Sequence, residues 1–289
     1  MKKVSSKQRL RDKRRVLKER KEKLKPRTGN TGQFNSSWKA REKWINHELK
    51  LGLDATADLN NNITLILPSI MNFSDKYEET VQYLTAIRVL GQCGSSPQIS
   101  FKLVSVNFDG LQKISTSAAL VLTAELSKWD DALRQKLKPN IDTWHPDIVR
   151  QFYQLGFFEL FHNNPANSND NIGEDGHLRL VKYIKGRCGD SKKTRKLREG
   201  VLEIVGESVD KWTFLRGGLD EAITNVTHHA YPSDYKIAKS HKNWYLTGSY
   251  NSTSKELKIV FYDQGVGIPK TLPASEIWEK VLNKLADLS

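Results

Sequence analysis

Between residues 63 and 161 short runs of β-type residues alternate with stretches of helical pattern, and this alternation constrains the fold more than any single motif. Residues 63–68 read as a strand. Residues 74–90 read as a helix with Ser74 as its N-cap. Residues 99–108 alternate apolar and polar positions as a half-buried strand does. Residues 115–126 form an Ala/Leu-rich helix opened by Ser and Thr. Residues 147–161 are a further helix with Gly156 near its end. Strands followed by helices imply an α/β layering of sheet and helix, here over residues 61–161. The Asn/Asp/Ser/Gly-rich stretch 162–176 reads as a boundary. After it come a strand at 178–184, helices at about 191–206 and 210–230, a hairpin of strands 244–251 and 256–262, and a last helix at about 274–287. A short helix is expected at 38–51, within a linker region 29–60.

Charge is distributed unevenly. The 289 residues carry 46 Lys or Arg and 33 Asp or Glu, a net charge of +13. Residues 1–28 hold fourteen Lys or Arg against Asp12, Glu19 and Glu22, a net of +11, which leaves +2 for all the rest. The body is therefore nearly neutral, and the basic character belongs to a helical or disordered tail. That tail suits a nucleic-acid backbone or an acidic partner but carries no sequence-reading module. Two cysteines, Cys93 and Cys188, make neither a disulfide framework nor a paired zinc knuckle. No apolar run approaches the roughly 20 residues of a membrane helix, and the N-terminus has no secretory pattern. The expectation is a cytoplasmic protein with no membrane association.

The chemistry-bearing residues fall after the boundary. Glu221, Asn225 and His229 follow one another at intervals of four, which places them on one face of a helix. Ala222, Ile223 and Val226 supply its packing side. A carboxylate there can orient or deprotonate a nucleophile. An amide oxygen can ligate a hard cation such as Mg²⁺, which arrives with phosphates. About forty residues on, Asp263-Gln264-Gly265-Val266-Gly267 directly follows an apolar strand. Glycines let backbone approach a ligand closely, and an acid at the strand end can accept from an amino group.

Leu219-Asp220-Glu221-Ala222-Ile223-Thr224-Asn225, followed by His229-Ala230-Tyr231, resembles the N-box of the GHKL ATPases. That family includes DNA gyrase, the ninety-kilodalton heat-shock chaperone, histidine kinases and MutL. The Glu-Ala-x-Thr-Asn wording is closest to the anti-sigma-factor serine kinases. Asp263 to Gly267 resembles the family's first glycine box. The resemblance covers about 175–289 and implies a Bergerat-type α/β sandwich that binds ATP and Mg²⁺. It implies Asn225 as the Mg²⁺ ligand and Glu221 as the catalytic base near the γ-phosphate. Asp263 would read the adenine amino group, with Gly265 and Gly267 shaping the pocket floor. A P-loop motif is absent from the sequence. Residues 268–289 contain no glycine, so the family's second glycine box is expected to be missing from 177–289. The implied behaviour is weak nucleotide binding with little turnover, because clamping the γ-phosphate is most of phosphoryl-transfer catalysis.

Residues 106–120 resemble the anti-sigma-antagonist (STAS) fold, in which a strand leads to Asp-Ser-x-Gly at a helix start. Ser115 stands at the Asp position and Ala118 at the Gly position. The resemblance marks Thr116 and Ser117 as phosphoacceptors, against a plainer reading in which these hydroxyls cap a core helix. His47-Glu48-Leu49-Lys50 looks like the start of a histidine phosphoacceptor box, but the proline that should follow is replaced by Leu51-Gly52-Leu53. It reads better as a surface histidine. Trp212 and Phe214 read as packing residues. Two functions follow from the sequence. One is an ATP-binding GHKL regulator, ATPase or serine-kinase-like, with a protein partner. The other is a non-catalytic adaptor whose basic arm contacts nucleic acid or an acidic partner. A salt-dependent DNA shift lost on deleting residues 1–28 would favour the second.

Overall fold

The structure, a computed structural model, describes residues 38–60, 62–91, 102–129, 134, 140–161, 177–187, 193–206, 212–231 and 242–266. The basic tail, the 162–176 boundary, both cysteines, Gly267 and the expected helix at 274–287 lie outside the described residues. Helices and sheets are mixed throughout, as the alternating pattern requires.

The first half begins with α1 (Trp38–Lys50) and the edge strand β1 (Ala55–Ala57). In β2 (Asn62–Ile66), Ile63 and Leu65 are buried while their neighbours are half-exposed, the period of two expected of a strand. β2 pairs antiparallel with β1 and parallel with β4 (Lys102–Asn107). A parallel pair needs a crossover, and α2 (Tyr77–Gly91) supplies it. Two short strands, β3 (Ile70–Met71) and β5 (Lys113–Ile114), also pair in parallel. The start of α2 differs from expectation: the helix opens at Tyr77, three residues beyond Ser74. Before it, Asn72 Oδ1 accepts from the amides of Ser74, Asp75 and Lys76 at 3.2, 2.8 and 3.0 Å, a turn that leads the chain into the helix.

α3 (Thr116–Leu126) has Ser115 as N-cap, its hydroxyl accepting from the Ala118 amide at 3.2 Å. Nearly every residue of α3 is buried. A helix apolar on all sides must be covered on all sides, and α3 meets this by packing on α2 on one side and on the second half on the other. α4 (Pro146–Leu155) stops earlier than its pattern suggests. Gly156 takes φ +80°, and residues Phe157–Leu160 turn into a 3₁₀ segment. A left-handed glycine ends a helix because its carbonyls and amides then satisfy one another locally. Phe108, Trp144, Phe152 and Phe157 form an aromatic centre beneath it, with Phe108 and Trp144 stacked at 4.3 Å.

The second half is an antiparallel sheet centred on β8 (Asn243–Asn251), flanked on one edge by β9 (Glu256–Asp263). The other edge holds two strands, β6 (Leu178–Leu180) and β7 (Ile184–Arg187), where the sequence suggests one. Residues 181–183 leave the ladder between them. There Val181 N bonds Gly248 O, while Tyr183 N turns away to Leu155 O at 3.0 Å, which draws the chain into the first half.

β8 is buried from Asn243 to Tyr250, on both faces. Trp244 and Leu246 pack with Ile259 and Phe261 of β9 against α5 (Thr194–Val205) and α6 (Trp212–Asn225). Tyr245, with Val260 and Tyr262, packs against Leu120 and Ala124 of α3. The sheet is thus a middle layer between α5/α6 and α3, so the two halves share an interior. Trp212 packs against the α5/α6 side. Phe214 does not: it is 86% exposed, because successive positions around α6 rotate it away from Leu219 and Ile223, which take the buried stripe.

Candidate functional site

Each site residue is positioned by the layer just described. On α6, Leu219 and Ile223 face the sheet, so Glu221 and Asn225 are exposed on the outer side. The helix does not run regularly to 230. Residues Val226–Ala230 form a π turn, which widens the last turn by one residue and still buries Val226 and Ala230. Thr224 and Thr227 donate to the carbonyls four residues back, Asp220 and Ile223, which keeps their hydroxyls on the helix. His229 is exposed, one widened turn beyond Asn225. Tyr231 donates to the Asn243 carbonyl at 3.0 Å and ties the end of this segment to the start of β8.

Asp263 closes β9 opposite Trp244. Its Oδ1 accepts from the Gly265 amide at 2.8 Å, an Asx turn that reverses the chain immediately after the strand. Gly265 then lies on the π turn. A Cβ built there would sit 2.4 Å from both the Cβ and the carbonyl oxygen of Ala230, so only glycine fits. The next amide, of Val266, donates to that same Ala230 carbonyl at 2.9 Å. The helix segment carrying Glu221 and Asn225 and the loop carrying Asp263 and Gly265 are therefore joined by a direct backbone contact.

Between the two motif residues of the loop, Gln264 points inward and is buried. Its Nε2 donates to Glu125 Oε1 at 3.3 Å, while its Oε1 has no protein partner among the described residues. Glu125 is the least expected feature of the site. It sits on α3 with 1% of its side chain exposed. Arg88 of α2 reaches Oε1 through Nε at 3.1 Å and Nη2 at 2.7 Å. Lys128 Nζ lies 3.3 Å from Oε2. The Tyr262 hydroxyl of β9 donates to Oε1 at 2.8 Å, and Arg88 Nη2 donates in turn to that hydroxyl. Burial pushes the Glu125 carboxyl up, but Arg88 and Lys128 outweigh it and hold it below its ordinary range. Burial drives Lys128 down to about 8. Tyr262 is raised well above its ordinary value, by burial first and by Glu125 second, and stays a hydrogen-bond donor.

The sequence offers one signal for this cluster: Glu125 is a lone acid in an otherwise apolar helix, and a buried charge must find partners. Which partners it finds, two of them more than 130 residues away, has no local signature.

The two hydroxyls that the STAS resemblance marks, Thr116 and Ser117, lie elsewhere. Thr116 is buried, its hydroxyl donating to Ser249 of β8 at 3.1 Å. Ser117 is half-buried, 3.1 Å from the Ser115 hydroxyl. A phosphoryl donor approaching Thr116 would have to part α3 from the sheet.

Known protein families, curated proteins and solved structures yielded no match to this chain. Among the described residues no group of three or more His, Cys, Asp or Glu could hold a metal ion, and no helix is long and apolar enough to cross a membrane. A single amide ligand such as Asn225 fits Mg²⁺ that arrives already bound by nucleotide phosphates, which supply most of its oxygens.

Proposed function

We propose that the chain binds ATP with Mg²⁺ at the junction of α6 and the Asp263 loop, as a regulatory protein of the GHKL type with ATPase or serine-kinase-like chemistry. The observation that carries this reading is the contact of Gly265 and Val266 with Ala230. It brings together two motifs forty residues apart in sequence, which the reading requires and which an unrelated pair of turns would not need. In this reading Asp263, already held at the strand end by its turn, accepts from the adenine amino group through its remaining oxygen. Asn225 ligates the Mg²⁺ that accompanies the phosphates. Glu221, exposed one turn before Asn225, orients or deprotonates the attacking nucleophile. Gly265 keeps the loop low enough for the base to approach. The first half would be the STAS-like module and the second the Bergerat-type domain.

Isothermal titration of the whole chain with ATP, with and without Mg²⁺, tests the reading. Expected is saturable binding strengthened by Mg²⁺, abolished in Asp263→Ala, and no longer strengthened by Mg²⁺ in Asn225→Ala. Absence of binding, or equal binding by Asp263→Ala, would refute it.

A further inference from the structure

Glu125 belongs to the first half of the chain, yet two of its four side-chain partners, Tyr262 and Gln264, bracket Asp263. We propose that Glu125 is a positioning residue for the Asp263 loop: it anchors the residues on either side of Asp263 to α3, so that the shape of the loop is coupled to the packing of the first half.

Three observations carry the proposal. First, the carboxylate is buried and contacted from every side. Arg88 comes from α2, Lys128 from beyond the end of α3, Tyr262 from β9 and Gln264 from the loop itself. Nearby, the Tyr245 hydroxyl of β8 shares a hydrogen bond with Ser127 at 2.9 Å. Such a group cannot shift without disturbing several bonds at once. Second, Gln264 is fixed through Nε2 alone, since its Oε1 is buried without a protein partner among the described residues. Losing Glu125 as acceptor would leave the amide only the neighbouring Tyr262 hydroxyl, and the loop would move to relieve it. Third, the loop's other ties among the described residues come from two backbone amides, Gly265 N donating to the Asp263 carboxylate and Val266 N to the Ala230 carbonyl. A rotation of Gln264 displaces both donors, because they belong to the next two peptides.

The consequence is a route by which a partner acting on the first half would alter the loop. A change that draws Arg88 or Lys128 away from Glu125 would free the carboxylate to turn, and Tyr262 and Gln264 would follow. The statement about the loop stands on the hydrogen bonds alone. Its extension to nucleotide affinity rests on the reading proposed above.

The test is amide hydrogen exchange on the full chain without nucleotide, followed by ATP titration. Gln264→Leu removes the loop's bond to Glu125 and leaves Arg88, Lys128 and Tyr262 on the carboxylate, so the fold is retained. Tyr262→Phe removes the strand's bond. Glu125→Gln preserves shape and acceptor but loses the charge. The expected result for Gln264→Leu is at least tenfold faster exchange of the Gly265 and Val266 amides, at unchanged exchange in α2 and β2. The double variant Gln264→Leu/Tyr262→Phe should extend that acceleration into the end of β9. Wild-type exchange of both loop amides in the double variant would overturn the proposal. Accelerated exchange together with tenfold weaker ATP binding supports both the positioning role and the nucleotide site. Accelerated exchange with no ATP binding by any of the proteins supports the positioning role and counts against the nucleotide reading alone, and accelerated exchange with ATP binding unchanged supports the positioning role and counts against its extension to nucleotide affinity.

Discussion

The Arg88 guanidinium meets the Glu125 carboxylate through two nitrogens, Nε at 3.1 Å and Nη2 at 2.7 Å, with only 1% of the glutamate side chain exposed. Arg88 is a third exposed, so the pair sits at the inner end of a guanidinium that still reaches solvent. Removing Arg88 leaves a buried carboxylate with only Lys128 to offset it, and removing both strips Lys128, Tyr262 and Gln264 of their shared buried partner. Arg88→Ala is therefore expected to destabilise the chain at the low end of about 3–5 kcal/mol, softened by Lys128. Arg88→Met combined with Glu125→Leu should cost at least as much as Arg88→Ala, because three buried donors lose their acceptor. Denaturant unfolding of wild type and the two variants checks this, and a double variant more stable than Arg88→Ala would contradict it.

Asp263 has two jobs that a pair of substitutions can separate. Its Oδ1 accepts from Gly265 N and shapes the turn. Its other oxygen is assigned to the ligand in the proposed reading. Asp263→Asn keeps an acceptor for the turn, so its stability should stay within about 0.5 kcal/mol of wild type. Asp263→Ala loses the bond and should cost about 1 kcal/mol. Both should lose ATP affinity, at least tenfold for Asp263→Asn, because an amide nitrogen would face an amino group. Thermal unfolding and titration on the same samples distinguish the two effects.

Much of this arrangement was legible in the sequence because it follows from local chemistry. Ser115 announces α3, and runs of β-type residues between turn signals announce β2, β4, β8 and β9. Three features were not legible, because other contacts override a local preference. Ser74 does not open α2, because Asn72 holds residues 74–76 in a turn and the helix begins only at Tyr77. The expected strand at 178–184 breaks because Tyr183 bonds to Leu155 and leaves the ladder. Phe214, apolar and expected to pack, is exposed because Leu219 and Ile223 already occupy the buried stripe of α6. At the candidate site the four-residue spacing put Glu221, Asn225 and His229 on one helical face; Glu221 and Asn225 share the exposed side of α6, whereas His229 falls in the π turn beyond it. The π turn and the Glu125 cluster depend on how α6 and α3 meet the sheet.

Gly265→Ala tests the contact that joins the two motifs. Its new methyl would fall 2.4 Å from the Ala230 carbonyl oxygen and 2.4 Å from its Cβ. Overpacking of this kind costs about 1–3 kcal/mol. Adding Ala230→Gly removes the Cβ clash but not the clash with the carbonyl, which also holds the Val266 amide. The second change should therefore restore only part of the loss, read as the midpoint of thermal unfolding. Full restoration would mean that the backbone contact is not what excludes a side chain at residue 265.

Glu125 and Lys128 should give the stability curve two limbs that rise in the same direction for different reasons. The Glu125 carboxyl, pushed up by burial but pulled further down by Arg88 and Lys128, lies below its ordinary 4.5 in the folded chain. A carboxyl depressed by folding contributes stability that is complete above pH 4.5 and is lost as pH falls through the folded value. Lys128 is driven by burial from 10.5 to about 8, with Glu125 opposing and Arg88 and Lys185 assisting. Between those two values the unfolded chain holds a proton that the folded chain has released, so stability rises with pH on account of this group. Tyr262, raised well above 10, and Tyr245, pushed up to about 12, act the other way once unfolded tyrosines ionise. The window for Lys128 therefore runs from about pH 8 to pH 10. Denaturant unfolding of wild type, Glu125→Gln and Lys128→Met across pH checks both limbs. The advantage of wild type over Glu125→Gln should shrink below pH 4.5. Wild type should gain on Lys128→Met as pH rises through the alkaline window. Differences that stay flat in either window would mean that the corresponding group is not held in its shifted state by the fold.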